Sequence, residues 1–214
     1  MTDFELAEDF LPIYDVSDAV ATVVDADRQT AFAALREVDL LKLGREASVV
    51  GMLGALRMLP DVVSHLLHGE APARPPQSMR LRDLPSIPMI EGGWILLGER
   101  PGEEIALGLV GKFWRPVIEF ARITNVDEFR EFDEPGFAKT VYDLSARELG
   151  AGSTLLTGLM RTGTTDGHSR RWFRRYWTFG VGSGAHVLVG ALLDSARRAA
   201  EGDREQGVRL EWTA

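Results

Sequence analysis

The stretch FAKTVYDLSARELGAGSTLLTGLMRTGT, residues 137–164, decides the fold. Two runs within it, Phe137 to Leu149 and Thr154 to Thr164, are rich in residues that favour β-strands, and Gly150-Ala-Gly152 lies between them. So short a connection joins antiparallel strands, because parallel strands need a crossover of about a dozen residues or more. The stretch therefore predicts an antiparallel hairpin.

The residues before this hairpin predict more strands of the same kind. Gly93 to Glu99 and Glu103 to Gly111 are also β-rich, and Arg100-Pro-Gly102 between them is a turn signal. A first strand is predicted over Tyr14 to Val24, and Asp27 is a suitable N-cap for the short helix that follows it. We therefore expect a largely antiparallel sheet with helices after its first strand.

The residues after the hairpin predict a long terminal helix. Thr165-Asp166 is a cap signal, and the pattern from Gly167 to Glu201 is mostly helical. On a helical wheel four arginines occupy one half and four aromatic residues the other: Arg170, Arg171, Arg174 and Arg175 against Trp172, Phe173, Tyr176 and Trp177. Glycines at 180, 182 and 184 predict a kink, since glycine destabilises a helix by about 1 kcal/mol.

Composition excludes several kinds of chemistry. The 214 residues are 45% hydrophobic and 26% charged, which is typical of one globular domain. The absence of cysteine excludes thiol nucleophiles and thiolate metal sites. A net charge of -8 repels polyanions, so a nucleic acid or an anionic membrane would need a local basic patch. Because base stacking needs arginines and aromatic rings on one face, and the wheel separates them, we expect no nucleic-acid partner.

The chain is expected to act in the cytoplasm and without stable membrane insertion. Its first nine residues are acidic and lack the positive and apolar regions of a signal peptide. The most apolar long stretch, Ala47 to Leu67, contains Arg57, Pro60 and Asp61. These residues argue against a transmembrane span and in favour of two amphipathic helices separated at the proline.

Two motifs that could signal a cofactor or a metal are weak. Gly180-x-Gly182-x-x-Ala185 matches a dinucleotide fingerprint, but a helical pattern precedes it where the fingerprint requires a strand. His65 and His68 are spaced to share a helical face, but no carboxylate stands at a metal-binding spacing around them. We therefore predict no cofactor and no metal.

Large aromatic residues are spread over the predicted sheet and terminal helix. They are Trp94, Phe113, Trp114, Tyr142, Phe173, Tyr176 and Trp177. One interpretation is an ordinary core. The other is the lining of an apolar cavity between sheet and helix, in which tyrosine hydroxyl and indole groups supply a few polar contacts.

Several motifs together with the order of the elements resemble a known family. The motifs are Phe129-x-x-Phe132-x-x-Pro-Gly-Phe-Ala-Lys139, Arg161-x-x-x-Thr165-Asp166, Arg170/Arg171-x-Phe173-x-x-Tyr-Trp177 and Gly182-Ser-Gly184, with Gly108-x-x-Gly111-Lys-Phe-Trp114 upstream. In these features the chain resembles bacterial members of the START-related helix-grip superfamily, also called SRPBCC. The resemblance implies an α+β fold in which an antiparallel sheet of about seven strands wraps around a long C-terminal helix and encloses a hydrophobic ligand.

The family includes lipid carriers and polyketide cyclases or dehydratases, so it predicts a pocket better than a reaction. Where related bacterial sequences carry a polar Thr-Glu-Thr before the arginine, this chain has Gly158-Leu-Met160. Alternation places Met160 on one strand face and Arg161 on the other, which predicts a more apolar wall and disfavours acid–base catalysis. The arginine expected after Ser183-Gly184 is also missing, since His186 and Val187 stand near that place.

We predict a single helix-grip domain over residues 1–214, with a flexible tail at 1–12 and a C-terminal tail at 203–214. It is expected to bind an apolar or amphipathic small molecule, lipid-like or polyketide-like, under a cover of helices from Ala47 to Leu67. The predicted ligand-binding residues are Trp94, Trp114, Tyr142, Met160, Phe173, Tyr176 and Trp177. Two alternatives remain: a cyclase- or dehydratase-like enzyme that uses a cavity tyrosine or histidine as acid or base, and a non-catalytic protein-interaction module.

Overall fold

The computed structural model describes residues 5–40, 42–43, 78, 80–86, 94–115 and 118–211. Its elements are, in order, α1 (Glu5–Phe10), β1 (Val16–Val24), α2 (Arg28–Glu37), a 3-10 helix (Leu81–Ser86), β2 (Ile95–Arg100), β3 (Glu104–Gly111), α3 (Val126–Glu131), β4 (Ala138–Gly150), β5 (Ser153–Thr164), α4 (Gly167–Tyr176), a π-helical turn (Trp177–Val181) and α5 (Gly182–Glu211). The helices predicted within Ala47 to Leu67, with His65 and His68, lie outside the described residues.

The sheet is antiparallel throughout, in the order β1-β5-β4-β3-β2. Both predicted hairpins are confirmed, β2 with β3 and β4 with β5. In the second hairpin Gly150, Ala151 and Gly152 all have positive φ, which explains the glycines in this turn. The resemblance implied about seven strands; the described residues contain five.

One face of the sheet packs against α2 and the long helix α5. The core on this side combines Phe32 and Leu35 of α2, Leu144 and Leu156 of the sheet, and a row of α5 residues. The α5 row is Val189, Leu192, Leu193, Ala196 and Ala200, and its spacing of three or four residues places it on one helix face. The predicted packing of an antiparallel sheet on a C-terminal helix is therefore confirmed.

The opposite face of the sheet is covered by α1 and α3. Leu6, Ala7 and Phe10 of α1 are buried there with Phe129 of α3 and Val141 of β4. Residues 5–10 of the tail predicted over 1–12 thus form a helix that is docked on the sheet. The helix is short and acidic, and only its docking on the sheet buries its apolar side.

Buried polar groups hold α1 to this face. The backbone N–H of Leu6 donates to Glu104 Oε1 at 3.2 Å, and that of Ala7 donates to Asp143 Oδ2 at 2.8 Å. Arg161 Nη2 donates to Glu8 Oε1 at 2.8 Å. Burial and the neighbouring carboxyl group of Glu104 raise the pKa of Asp143 to about 8. The fold therefore favours the protonated form of Asp143.

The terminal helix is bent rather than straight. Segments Gly167–Phe179 and Gly184–Gly202 meet at 62° across the π-helical turn, which confirms the predicted kink. Helix α5 then runs to Glu211, so the tail predicted from residue 203 is helical through that residue. Among the described helices none spans a bilayer by itself on length and hydropathy, and only this bent pair passes that test when joined.

Asp166 is the N-cap of α4 and also holds the preceding turn. Its carboxylate accepts from the N–H groups of His168 at 2.7 Å, Ser169 at 2.9 Å and Gly136 at 2.6 Å. The hydroxyl and N–H of Ser169 and these other donors lower the pKa of Asp166. The charged carboxylate is thus the form that the fold stabilises.

We expect Asp166→Ala to lower the free energy of unfolding by about 1–2 kcal/mol at neutral pH. Because the pKa of Asp166 is lower in the folded state, its contribution is present above the unfolded value of 3.8 and is lost as pH falls through the folded value. Urea denaturation at neutral and acidic pH measures this difference. Asp127→Ala, at an exposed position in the first turn of α3, is the matched control. Equal losses in the two variants would contradict the role of Asp166.

Candidate functional site

The candidate site begins with a row of neighbouring residues on the α5 side of the sheet. Tyr142 of β4 is directly opposite Leu107 of β3 and Met160 of β5, and Met160 is opposite Asp18 of β1. Directly opposite residues of antiparallel strands have their side chains on the same face. Leu107 belongs to the core that packs on α5. The predicted residues Tyr142 and Met160 therefore lie side by side beneath the helical layer.

Aromatic rings from separate parts of the chain form a connected set that includes Tyr142 of this row, because Tyr176 of α4 lies close enough to Tyr142 to interact with its hydroxyl group. Trp94, just before β2, meets the ring of Tyr142 edge-on with centroids 5.1 Å apart. On α4 the ring of Phe173 lies 6.0 Å from Tyr176 and 6.1 Å from Trp177. Trp114, which follows β3, meets Phe173 edge-on at 6.3 Å. We call the seven predicted residues the aromatic site: Trp94, Trp114, Tyr142, Met160, Phe173, Tyr176 and Trp177.

The members of the aromatic site differ in burial. Phe173 and Met160 are buried. The other five members are half-buried: Trp94, Trp114, Tyr142, Tyr176 and Trp177. Each of these five residues is therefore partly accessible to solvent.

Tyr142 contributes a hydroxyl group that stays protonated. Burial, together with the nearby Tyr176, raises the pKa of Tyr142 to about 12. Such a phenol is a hydrogen-bond donor at neutral pH but a poor general base, because an efficient base has a pKa near the working pH. Its chemistry suits orienting a polar group of a ligand better than removing a proton.

Sequence analysis missed two polar pairs on the same side of the sheet. Thr140 and Thr162, both buried, are joined by a hydroxyl–hydroxyl hydrogen bond of 2.9 Å. Asp18, beside Met160 in the row, is 3.0 Å from Nδ1 of His186 on α5. Side chains alternate between the two faces of a strand, so Thr140 shares a face with Tyr142, and Thr162 with Met160. This pattern could have placed the two threonines beside the predicted residues. The Asp18 pair joins residues 168 positions apart, and only the packing of α5 on β1 brings them together.

A separate pocket of about 280 Å³ lies between the end of α2 and α5. Its lining is mainly polar or charged: Asp39, Lys42, Leu43, Ser195, Arg198 and Ala199. None of the seven aromatic-site residues contributes to it. Within the described part of the chain, no cluster of three or more His, Asp or Glu side chains could hold a metal ion.

The fold and the site define an α+β protein whose antiparallel sheet packs on a long C-terminal helix and carries a partly open aromatic surface beneath it. No family model and no curated protein matches the chain. A solved structure that is similar to it is the crystal structure of a conserved protein from Geobacillus kaustophilus, at 10% identity and a TM-score of 0.40. The similarity covers 87% of this chain and 96% of the other. Similarity of this degree assigns no function.

Proposed function

We propose that this protein is of the START-related helix-grip type and binds an apolar or amphipathic small molecule at the aromatic site. The observation that carries the proposal is the set of five half-buried aromatic residues grouped with the buried Phe173 and Met160. Ligand sites combine apolar and aromatic linings with a few polar groups, and this surface has that composition.

The chemistry of the site favours a ligand with an apolar body and one polar group. The rings offer flat apolar area, while the protonated Tyr142 offers a hydrogen bond. The nearest polar pairs on this side, Thr140 with Thr162 and Asp18 with His186, already satisfy one another. A lipid-like or polyketide-like molecule fits these groups better than a sugar or a nucleotide, which needs many polar partners.

The direct test is native mass spectrometry of the purified protein, followed by solvent extraction. We expect a retained lipid-like compound, or saturable binding of a dansyl-labelled fatty acid to the stripped protein. If the purified protein retains no such compound and the stripped protein does not bind the dansyl probe saturably, the proposal is wrong.

Trp94→Ala is expected to weaken binding of the dansyl-labelled fatty acid about tenfold, because it removes a large ring that lies against Tyr142. Fluorescence titration measures the dissociation constant. Trp172→Ala is the matched control. Trp172 is also a tryptophan, but it lies on α4 and is exposed on the outer side of that helix. If the two variants lose affinity equally, the probe does not bind at the aromatic site.

Acid–base catalysis is the second candidate, and the Asp18–His186 pair favours it. A carboxylate that orients an imidazole is a common arrangement for a general base. Tyr142 is two strands away from Asp18, roughly 10 Å by strand spacing, so a ligand would have to bridge them.

Mass spectrometry of a ligand recovered after incubation separates the two functions. A chemical change that the wild type produces and His186→Gln does not would favour the enzyme.

A further inference from the structure

The outer face of α4 carries aromatic and basic residues together. The helical wheel placed Trp172 with the inward-facing aromatic residues, and that placement is wrong. Trp172 is 46% exposed, with the guanidinium of Arg175 5.5 Å above its ring and the ring of His168 6.4 Å away. Positions 168, 172, 175 and 179 follow a helical spacing of three and four residues, so they form one stripe. On the helical wheel of α4, Trp172 lies at the edge of the half that holds the aromatic residues. Where α4 packs against the rest of the protein, this edge faces the solvent.

Only one of the four arginines of α4 has an acidic partner among the described residues. Arg170 is neutralised by Asp15, with Nε and Oδ1 2.6 Å apart. Among the described residues, no carboxylate lies within ion-pair distance of Arg171, Arg174 or Arg175. Helix α4 itself contains no acidic residue. Within the described part of a protein whose net charge is -8, this face therefore carries a local excess of positive charge.

Phe179 extends the same face at the bend of the terminal helix. Its side chain is 86% exposed, the most exposed of the large hydrophobic residues in the described part of the chain. It follows Arg175 by one turn and lies in the π-helical turn where the helix changes direction. Exposing a phenylalanine to this extent is unfavourable in water, and an apolar environment would remove that penalty.

We propose that the outer face of α4 and of the π-helical turn that follows it, from Arg171 to Phe179, docks on an anionic lipid bilayer. Guanidinium groups bind lipid phosphates, an amphipathic tryptophan ring lies at the level of the headgroups, and a phenylalanine enters the acyl boundary. Arg171, Trp172 and Phe179 supply one group of each kind on one side of the helix. The interaction is peripheral and does not depend on a ligand at the aromatic site.

A bilayer fits this face better than a nucleic acid does. Base stacking needs an open ring, but Arg175 covers one side of the Trp172 ring. Phe179 lies beyond the arginines at the end of α4 rather than between them. An apolar tip next to a basic stripe matches the layered order of apolar chains and anionic headgroups in a membrane.

Vesicle flotation with the full chain tests the proposal. We expect binding to vesicles of phosphatidylglycerol mixed with phosphatidylcholine at low salt, weaker binding at high salt because exposed charges are screened, and no binding to phosphatidylcholine alone. A wild-type protein that does not float with the anionic vesicles would overturn the proposal. So would binding to a single-stranded oligonucleotide without binding to these vesicles.

Two variants with matched controls locate the surface. Arg171→Gln/Arg175→Gln is expected to weaken vesicle binding about tenfold or more, whereas Arg122→Gln/Arg198→Gln, the same charge change at exposed positions elsewhere, leaves it within about twofold of the wild type. Phe179→Ser is expected to weaken binding several-fold, and Leu149→Ser, at an exposed apolar residue on β4, is its control. Thermal unfolding verifies that each variant is folded. Losses in the control variants as large as those in the α4 variants would contradict the docking surface.

Discussion

Gly158→Ala is expected to lower the free energy of unfolding by about 3 kcal/mol, because the new methyl group overlaps the terminal helix. A Cβ at this position of β5 would be 2.5 Å from Cγ1 of Val189 on α5 and 3.1 Å from Cδ2 of Leu144 on β4. Side chains in a packed core cannot move apart without losing contacts with their other neighbours. Urea denaturation gives the loss directly.

Val189→Ala provides the partner test for this contact. The substitution removes the methyl group that the new Cβ meets, so the double variant should be more stable than the sum of the two single losses predicts. Gly190→Ala is the control in the same helix, because its Cβ meets only Val20 at 3.9 Å. We expect that control to stabilise the protein by about 1 kcal/mol. Strictly additive losses at 158 and 189 would contradict the proposed overlap.

The second large effect is a pH dependence that comes from Asp143. This carboxyl group has a pKa raised to about 8 in the folded protein against 3.8 without the fold. Between those values the unfolded chain releases a proton that the folded chain keeps, so rising pH favours unfolding. We expect stability to fall with rising pH across this window by up to about 1.4 kcal/mol for each pH unit.

Asp143→Asn is expected to remove this contribution. Asparagine retains an oxygen that accepts the N–H of Ala7 and a nitrogen that donates to Glu104, as a protonated carboxyl group does, but it has no proton to lose. Urea denaturation of both proteins at several pH values therefore yields a stability difference that grows in favour of the variant as pH rises. Asp127→Asn, at an exposed position of α3, is the control. A pH profile for Asp143→Asn parallel to that of the wild type would exclude Asp143 as the cause.

These two positions also bear on the proposed binding function. Gly158 is on the α5 side of the sheet, two residues from Met160, and its missing side chain lets Val189 approach β5 closely. Asp143 is on the opposite side, next to Tyr142 along β4. One variant thus perturbs the helical layer beside the aromatic site, while the other perturbs only the docking of α1. Binding of the dansyl-labelled fatty acid is accordingly expected to be sensitive to Gly158→Ala and insensitive to Asp143→Asn.

Local features of the fold were predictable from short stretches of sequence. The hairpin of β4 and β5 follows from two β-rich runs and a glycine turn, and the observed strands differ from the predicted bounds by one residue at most. The caps predicted at Asp27 and Asp166 are confirmed by side-chain hydrogen bonds to N–H groups of the first helical turn. Each of these signals depends on residues only a few positions apart.

The aromatic site was partly predictable for the same reason. Alternation along a strand selects Tyr142 and Met160, and helical spacing selects Phe173, Tyr176 and Trp177. Their arrangement around one row of the sheet required the strand order, which sequence did not contain. Helical spacing misplaced Trp172 because a wheel has no information about which side of the helix meets the protein.

By itself, then, the sequence determined the antiparallel hairpins, the helix starts and the kink in the terminal helix, since neighbouring residues decide these by backbone preference and capping. Only the tertiary structure decided that α1 is docked, that the pKa of Asp143 is raised, that Asp18 meets His186 and that Gly158 must lack a side chain. Each of these depends on burial by residues distant in the chain. Burial and close approach arise only when the sheet and its helices pack together.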